Sequence, residues 1–498
     1  DKPVYTEQPK ENPAISALNL YADPSATATT KYTTGAWPKA TMLFSPRVGF
    51  RWDAYGDKSM ILRGGTGIFT GRIPYVYLTN IPSGSGMYNF GALVTTNLQN
   101  FLFNPDPHAY NPFYNSSLPP SQFPTVAGTA VPSGAFALTS PDFQFPQIWR
   151  TNFGFDKQLS RTWRFSAEML YTKDLNAIYM FNSNQQNPTG TVTTGSVTRG
   201  YYTSTASRKL NTASGNAVVL DNSSKGHSFI FTAQLSKSFS KGLYASIAYN
   251  YTLSGDLTAN PGSQASSVWA VNPTSGTQNT QEMAYSNFAV PHRVVAMISY
   301  RHEYVRHLAT TLSLFYDGKS GGTYSYIYNG DLNNDGNTAD LMYIPRDPSE
   351  INFKNNVVYN GVTYTSQQQS DIFFQYIEQD PYLRSRKGQV AERNGALLPW
   401  VNRLDGKFAQ ELFNNIGKQR HSVQFTVDAY NVLNLLNHNW GIRKQTTVAN
   451  PLRVESVTNG IPTFSVTSYN NAPVNQTFVD NISTSTTWAL QLGIRYIF

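Results

Sequence analysis

The sequence predicts an all-β fold, a transmembrane antiparallel β-barrel, and three observations carry that prediction. The first is the segment 486–498, TTWALQLGIRYIF. Read with a period of two, Trp488, Leu490, Leu492, Ile494, Tyr496 and Phe498 share one face, and Ala489, Gln491, Gly493, Arg495 and Ile497 share the other. Aliphatic side chains between two aromatic ends are the cover a strand needs when it faces hydrocarbon bounded by two polar interfaces. The second is repetition: further pairs of alternating segments, each about ten residues a side, have the span of a tilted membrane strand. The third is asymmetry. Short polar connections alternate with long ones, which a soluble sandwich does not require and which periplasmic turns opposite extracellular loops do.

In chain order, residues 1–40 are polar, rich in Pro, Ala and Thr, and read as a loop. A strand over 42–55 sets Val48, Phe50 and Trp52 against Arg47, Gly49, Arg51 and Asp53. Gly56-Asp57-Lys58 turns it, and Met60, Leu62 and Ile68 return against Arg63, Gly65 and Gly67. Residues 71–147 are irregular, full of Pro, Asn, Ser and Gly. The same grammar then repeats. Trp149, Phe153 and Phe155 pair with Trp163 to Tyr171 across Ser160-Arg161, and Phe229 to Leu235 pair with Leu243 to Tyr251 across Ser240-Lys241-Gly242. Val294 to Tyr300 pair with Leu308 to Tyr316 across Val305-Arg306, and Leu404 and Phe408 pair with Val423 to Ala429 across 414–419. The long connections are 71–147, 173–227, 253–291, 317–400 and 432–485, and within them Asn360-Gly361 and Asn459-Gly460 predict hairpins standing above the membrane.

Ten hairpin strands and the last make eleven. A closed antiparallel bacterial barrel needs an even number, so at least one more strand is expected before residue 42. The chain opens at Asp1 without an initiator Met or a leader and reads as a mature or truncated piece.

Composition agrees with a wall that is polar inside and aromatic at its rims. Charged residues are 14%, against about 25% in ordinary soluble proteins, while Tyr 31, Phe 29 and Trp 8 are abundant. Mean hydropathy is −0.37 and no apolar run has the length of a membrane helix, as alternating strands require. The chain has no Cys, which excludes disulfides, thiolate metal sites and cysteine nucleophiles. Its net charge of +8 is scattered, with no basic run of the kind that binds nucleic acid. An enzyme reading finds no HExxH pair, GxSxG elbow or phosphate loop; Gly65 to Gly71 has the wrong spacing and lies in a strand.

Several stretches resemble the barrel of Oar-like TonB-dependent outer-membrane receptors. They are SPRVGFRWDAYGDKSMILRGGTGIFTGR with IPYVYLTN after it, FPQIWRTNFGFDKQLS, VPHRVVAMISY, YNGDLNNDGNTADLMYIPRD, VDAYNVLNLLNHNW and the terminal Phe498. The resemblance covers nearly the whole chain in the same order. It implies that residues 1–498 are the C-terminal portion of a barrel, about half of some 22 strands. It also implies a plug domain and a TonB-gripped segment, neither of which lies in this sequence, and ligand binding with energised transport by the whole protein. Outer-membrane lipid, the TonB complex and an extracellular ligand would be the partners, with the loops 71–147 and 317–400 the places of ligand contact. The runner-up is a passive porin-like or structural barrel, and a soluble secreted β-protein comes third.

Two groups of residues invite a role. Asp331, Asn333, Asp335, Asn337 and Asp340 place oxygen ligands at alternate positions around Gly336, as an EF-hand-like loop does for calcium, although Met342 stands where a bidentate Glu is usual. The alternative is an Asx-rich turn held by its own backbone hydrogen bonds. Arg47, Arg51, Arg63, Arg164, Glu168, Arg403, Asp405, Lys407, Asp428 and Arg495 fall on the polar side of their strands and would line the lumen. There they would hold a plug or guide a solute, or else form a cross-strand ladder that stabilises the wall.

Overall fold

Strict alternation of apolar and polar residues produces eleven long strands, each paired antiparallel with the next in sequence. The computed structural model describes residues 8–87, 105–106, 131–259, 261–416 and 419–498, so much of 71–147 lies outside the described residues. The strands are β1 (Arg47–Asp53), β2 (Met60–Thr70), β3 (Gln147–Gln158), β4 (Trp163–Asp174), β5 (His227–Ser238) and β6 (Leu243–Asp256). They continue as β7 (His292–Tyr304), β8 (Leu308–Lys319), β9 (Val401–Ile416), β10 (Gln419–Tyr430) and β11 (Ala489–Ile497). The two-residue strand Ala284–Tyr285 extends the sheet beside the end of β6. The sheet is open, since no pairing joins β1 to β11. β1 is shorter than the pattern over 42–55 predicts because Pro46 has no N–H to give a ladder; its carbonyl accepts from Ile68 instead.

The register puts most of the large apolar residues on one face, while a minority, among them Phe69, Met297, Phe315 and Ile497, stand on the charged face. On β11, Leu490, Leu492, Ile494 and Tyr496 are 54%, 68%, 80% and 57% exposed, values no water-facing strand would show in series. Aromatic residues gather at both ends of that face. Toward the long connections, Trp149 packs edge-on against Tyr171, with ring centroids 6.1 Å apart. Toward the short turns, Phe155 meets Phe165 and Tyr496 stacks near Phe498.

The long connections are not structureless, and this corrects the sequence reading of 71–147 as irregular. They carry a helix at Tyr75–Gly84 and a mixed sheet of Phe136–Thr139, Ala217–Ser223 and Ala177–Asn182. They also carry a helix at Ser366–Gln379 whose Thr365 cap and Gln368 form a reciprocal capping box. Asn360-Gly361 and Asn459-Gly460 turn hairpins as the sequence predicts, with φ of 47° and 81°, and 52° and 75°. The segment from residue 8, expected as a loop, adds Ile15, Leu20 and Tyr32 to the same interior. Among the described residues, the largest fully buried side chains, including Tyr77, Tyr202, Tyr326, Tyr328, Phe373 and Phe464, belong to this body and none to β1–β11.

Candidate polar wall and loop-end site

The ten residues singled out as wall residues share one face of the sheet, opposite the apolar one. Arg51 pairs in register with Arg63, Lys407 with Asp428, and Gln424, beside Asp428 on β10, with Arg495. Like charges directly opposite one another repel. The Arg51–Arg63 pair is relieved because the Arg63 guanidinium turns the other way. It reaches Asp156 on β3 at 3.1 Å and, two strands over, Glu168 on β4 at 2.9 Å. Gly154 makes that reach possible. It lies between Arg63 and Glu168 in register, and a Cβ there would stand 2.8 Å from the guanidinium carbon. Arg47 takes another course and lies 4.3 Å over the Phe69 ring.

On β9 and β10, Arg403 donates to Asp405 at 2.8 Å and Lys407 to Asp428 at 2.8 Å. Asp405 also accepts from the Asn431 N–H, which fixes the start of the connection after β10. Arg164 and Glu168 share β4 with the same parity. Sequence reasoning missed three partners on this face: Asp156, the Arg293–Asp317 pair at 2.7 Å, and the Arg301–Glu411 pair at 2.9 Å. Their signal was present in part: Asp156, Asp317 and Glu411 share a face with named residues on their own or a paired strand, whereas β7, with Arg293 and Arg301, and the strands it pairs with carry none of the named residues.

At the loop end, residues 331–340 form a tight bend. Gly336 takes φ of 97° and Asn334 of 56°, a left-handed backbone suited to Gly and Asn. Asp331 accepts from the Asp335 and Gly336 N–H groups at 3.0 and 2.7 Å, Asn333 from Asp335 at 3.0 Å, and Asp335 from Asn337 at 2.8 Å. Asp340 closes the bend by accepting from the Leu332 N–H at 2.8 Å. Burial pushes the Asp335 carboxyl up to about 6. It pushes Asp340 up to about 8, and the nearby Asp335 carboxylate adds to that shift. The five residues share one bend, where their side chains bond mainly to backbone N–H groups, and among the described residues no three acidic or histidine side chains converge as a metal-ligating group.

A cleft of about 440 Å³ lies above the ends of β5 and β6, between residues 282–285 and 390–393. Arg393, 4% exposed, organises its floor by bonding Asp256 at 3.0 Å and the Asn272 side-chain oxygen at 2.6 Å. The walls are mainly apolar, from Leu253, Met283, Tyr285 and Leu341. Nothing in the alternation of the sequence pointed to this cleft, since its walls come from three separate segments.

The family model described as outer membrane beta barrel domain matches residues 5–459. No curated protein matches the chain. Among solved structures, the chain is similar to the outer membrane transporter YddB from Escherichia coli at 12% identity and a TM-score of 0.39, covering 91% of this chain and 40% of that one. It is also similar to a variant of PfeA, the ferric enterobactin receptor from Pseudomonas aeruginosa, at 8% identity and a TM-score of 0.34, covering 78% and 34%. The chain thus spans less than half the length of either protein. With the match over 5–459, the two-faced antiparallel wall and the aromatic rims in hand, the chain belongs to the outer membrane β-barrel domain family, and its place is the outer membrane of a Gram-negative bacterium, turns to the periplasm and long loops outside.

Proposed function

We propose that residues 1–498 are the C-terminal part of the barrel of an Oar-like TonB-dependent receptor, which takes part in ligand binding and energised transport across the outer membrane. The observation that carries this reading is the open sheet. A wall with one charged face, one apolar face and unpaired ladders at β1 and β11 is tolerated in hydrocarbon only when further strands close it. Among the described residues the long strands of this sheet number eleven, and an odd number of antiparallel strands does not close on itself; on this reading the partners of the two edges belong to the rest of a longer barrel. In the whole protein the charged face lines the lumen, where a plug would rest against Arg63, Arg403 and Lys407. TonB would act through a region outside this sequence, and an extracellular ligand would meet the loop body first.

A second reading has an observation of its own. Arg63, Arg293, Arg301, Arg403 and Lys407 are all committed to carboxylates on their own strand or one or two strands away. Such a ladder suits a passive porin-like or structural barrel equally well.

Two strains separate the readings, one lacking this gene and one lacking TonB, grown with a chelated iron source, a glycan or a peptide as the limiting nutrient. The transport reading predicts that both strains fail on the same nutrient. Growth of the TonB-deficient strain on every nutrient that requires this gene would support the passive barrel instead.

A further inference from the structure

We propose that the loop 331–340 binds a hard divalent cation, calcium, and that the ion locks three extracellular segments together. Asp340 is 1% exposed, and while one carboxylate oxygen accepts from Leu332, the other is fully buried with no hydrogen-bond partner. An uncompensated buried carboxylate oxygen is costly and calls for a counter-charge. Two cations are near; Arg199 favours the charged form of Asp340 from a distance, but neither is bonded to that oxygen. Arg199 donates to the Leu341 carbonyl at 2.6 Å, and Arg208 lies 3.8 Å from Asp331 while donating to the Asn334 carbonyl.

The oxygens around Asp340 fit the need. Counting Asp331 as position 1, side-chain oxygens stand at 1, 3 and 5, Gly336 makes the sharp turn at 6, and the Asn337 carbonyl is at 7, the order that wraps calcium in an EF-hand loop. Asp340 takes the closing role two places early. The N–H bonds to Asp331, Asn333 and Asp335 shape the bend without exhausting these groups, because an ionised carboxylate has about four acceptor sites and an amide oxygen two. Among the described residues no three acidic or histidine side chains already form a ligating group. Binding therefore draws the Asp331, Asp335 and Asp340 carboxylates inward by side-chain rotation about a bend whose backbone is set.

The location gives the ion something to do. Tyr202, from the connection after β4, donates its N–H to the Asn333 carbonyl at 3.0 Å and accepts from the Asn334 side chain at 2.6 Å. From the connection after β6, Gly276 and Gln278 accept from Asn333 and Asn337 at 2.9 and 2.7 Å. A cation here fixes the junction of three loops. This inference is independent of whether the barrel transports anything.

The test is calorimetry with CaCl2 and, in parallel, MgCl2 on the full-length protein, purified in detergent and freed of lipopolysaccharide. The wild type should show saturable calcium heat and a higher melting midpoint in calcium than in EGTA, with magnesium much weaker because it tolerates irregular geometry poorly. Asp340→Asn should lose affinity by at least about tenfold and with it the calcium-dependent midpoint shift. Asp331→Asn, at the half-exposed edge of the bend, gives the same result if the first variant does not fold. Absence of saturable calcium heat in the wild type, equal heat with magnesium, or unchanged calcium heat in both variants would overturn the proposal and leave an Asx-rich turn.

Discussion

The wall and the loop body are built from the same aromatic-rich composition, and they use it in opposite ways. In β1–β11 the aromatic and aliphatic side chains point outward, and the backbone ladder supplies the order. In the loop body they are the interior: Tyr326, Tyr328, Met342, Phe373, Tyr376 and Phe464 pack into one buried cluster, and Tyr328 stacks on Phe464 at 5.2 Å. The wall borrows its apolar environment from lipid. The body makes its own, as a soluble domain does. A substitution should therefore be read by which environment it disturbs, and four changes test this from the largest expected effect to the smallest.

Phe373→Ala removes a fully buried ring from the loop body and should cost about 3–5 kcal/mol there. The cost should stay local: limited proteolysis should open 320–400 while strand content by circular dichroism is unchanged. Coincident loss of both signals would show that wall and body are one cooperative unit.

Ile494→Arg puts a charge on the outward face of β11, at a position 80% exposed and paired with Phe425. Its cost should be about 2–4 kcal/mol near the bilayer midplane. Folding of the full-length protein into lipid vesicles should show this penalty, and a neutral result would mean that this face does not meet lipid. Thr365→Ala removes the side-chain cap of the Ser366–Gln379 helix and should cost about 1 kcal/mol, read as faster amide exchange in that helix alone.

Gly154→Ala is the smallest. Its new methyl would sit 2.8 Å from the Arg63 guanidinium carbon and force it off Glu168. Because both partners are more than a third exposed, the change should cost about 1 kcal/mol or less. A double-mutant cycle with Glu168→Gln should show the two effects to be non-additive, and full additivity would mean that the glycine has another purpose.

How much of this was legible in the sequence follows from the same contrast. Lipid imposes a strict period of two on the outer face, so every strand from Val48 to Ile497 could be read with its parity, and with it the common face of Arg47, Arg63, Lys407 and Asp428. The pairings within that face were not legible. The reach of Arg63 across Gly154 depends on register between three strands. Residues 71–147 read as irregular because their elements among the described residues, such as the four-residue strand Phe136–Thr139, are too short to show a period. The Ser366–Gln379 helix was missed for another reason: its first six residues are all polar, and its buried Phe373, Tyr376 and Ile377 come only in the second half. β1 was overestimated because Met42 and Phe44 continue the alternation past Pro46 without joining the ladder.

The central claim is that one polypeptide stretch crosses an outer membrane repeatedly, with turns and loop body on opposite sides. Because the sequence has no Cys, single substitutions Lys58→Cys in the turn after β1 and Val362→Cys in the Asn360-Gly361 hairpin can be tagged selectively in the full-length protein. Intact cells would be treated with a maleimide too large to pass porins. The account predicts labelling at 362 in intact cells and at 58 only after the outer membrane is opened. Equal labelling of both positions in intact cells, or of neither, would contradict it.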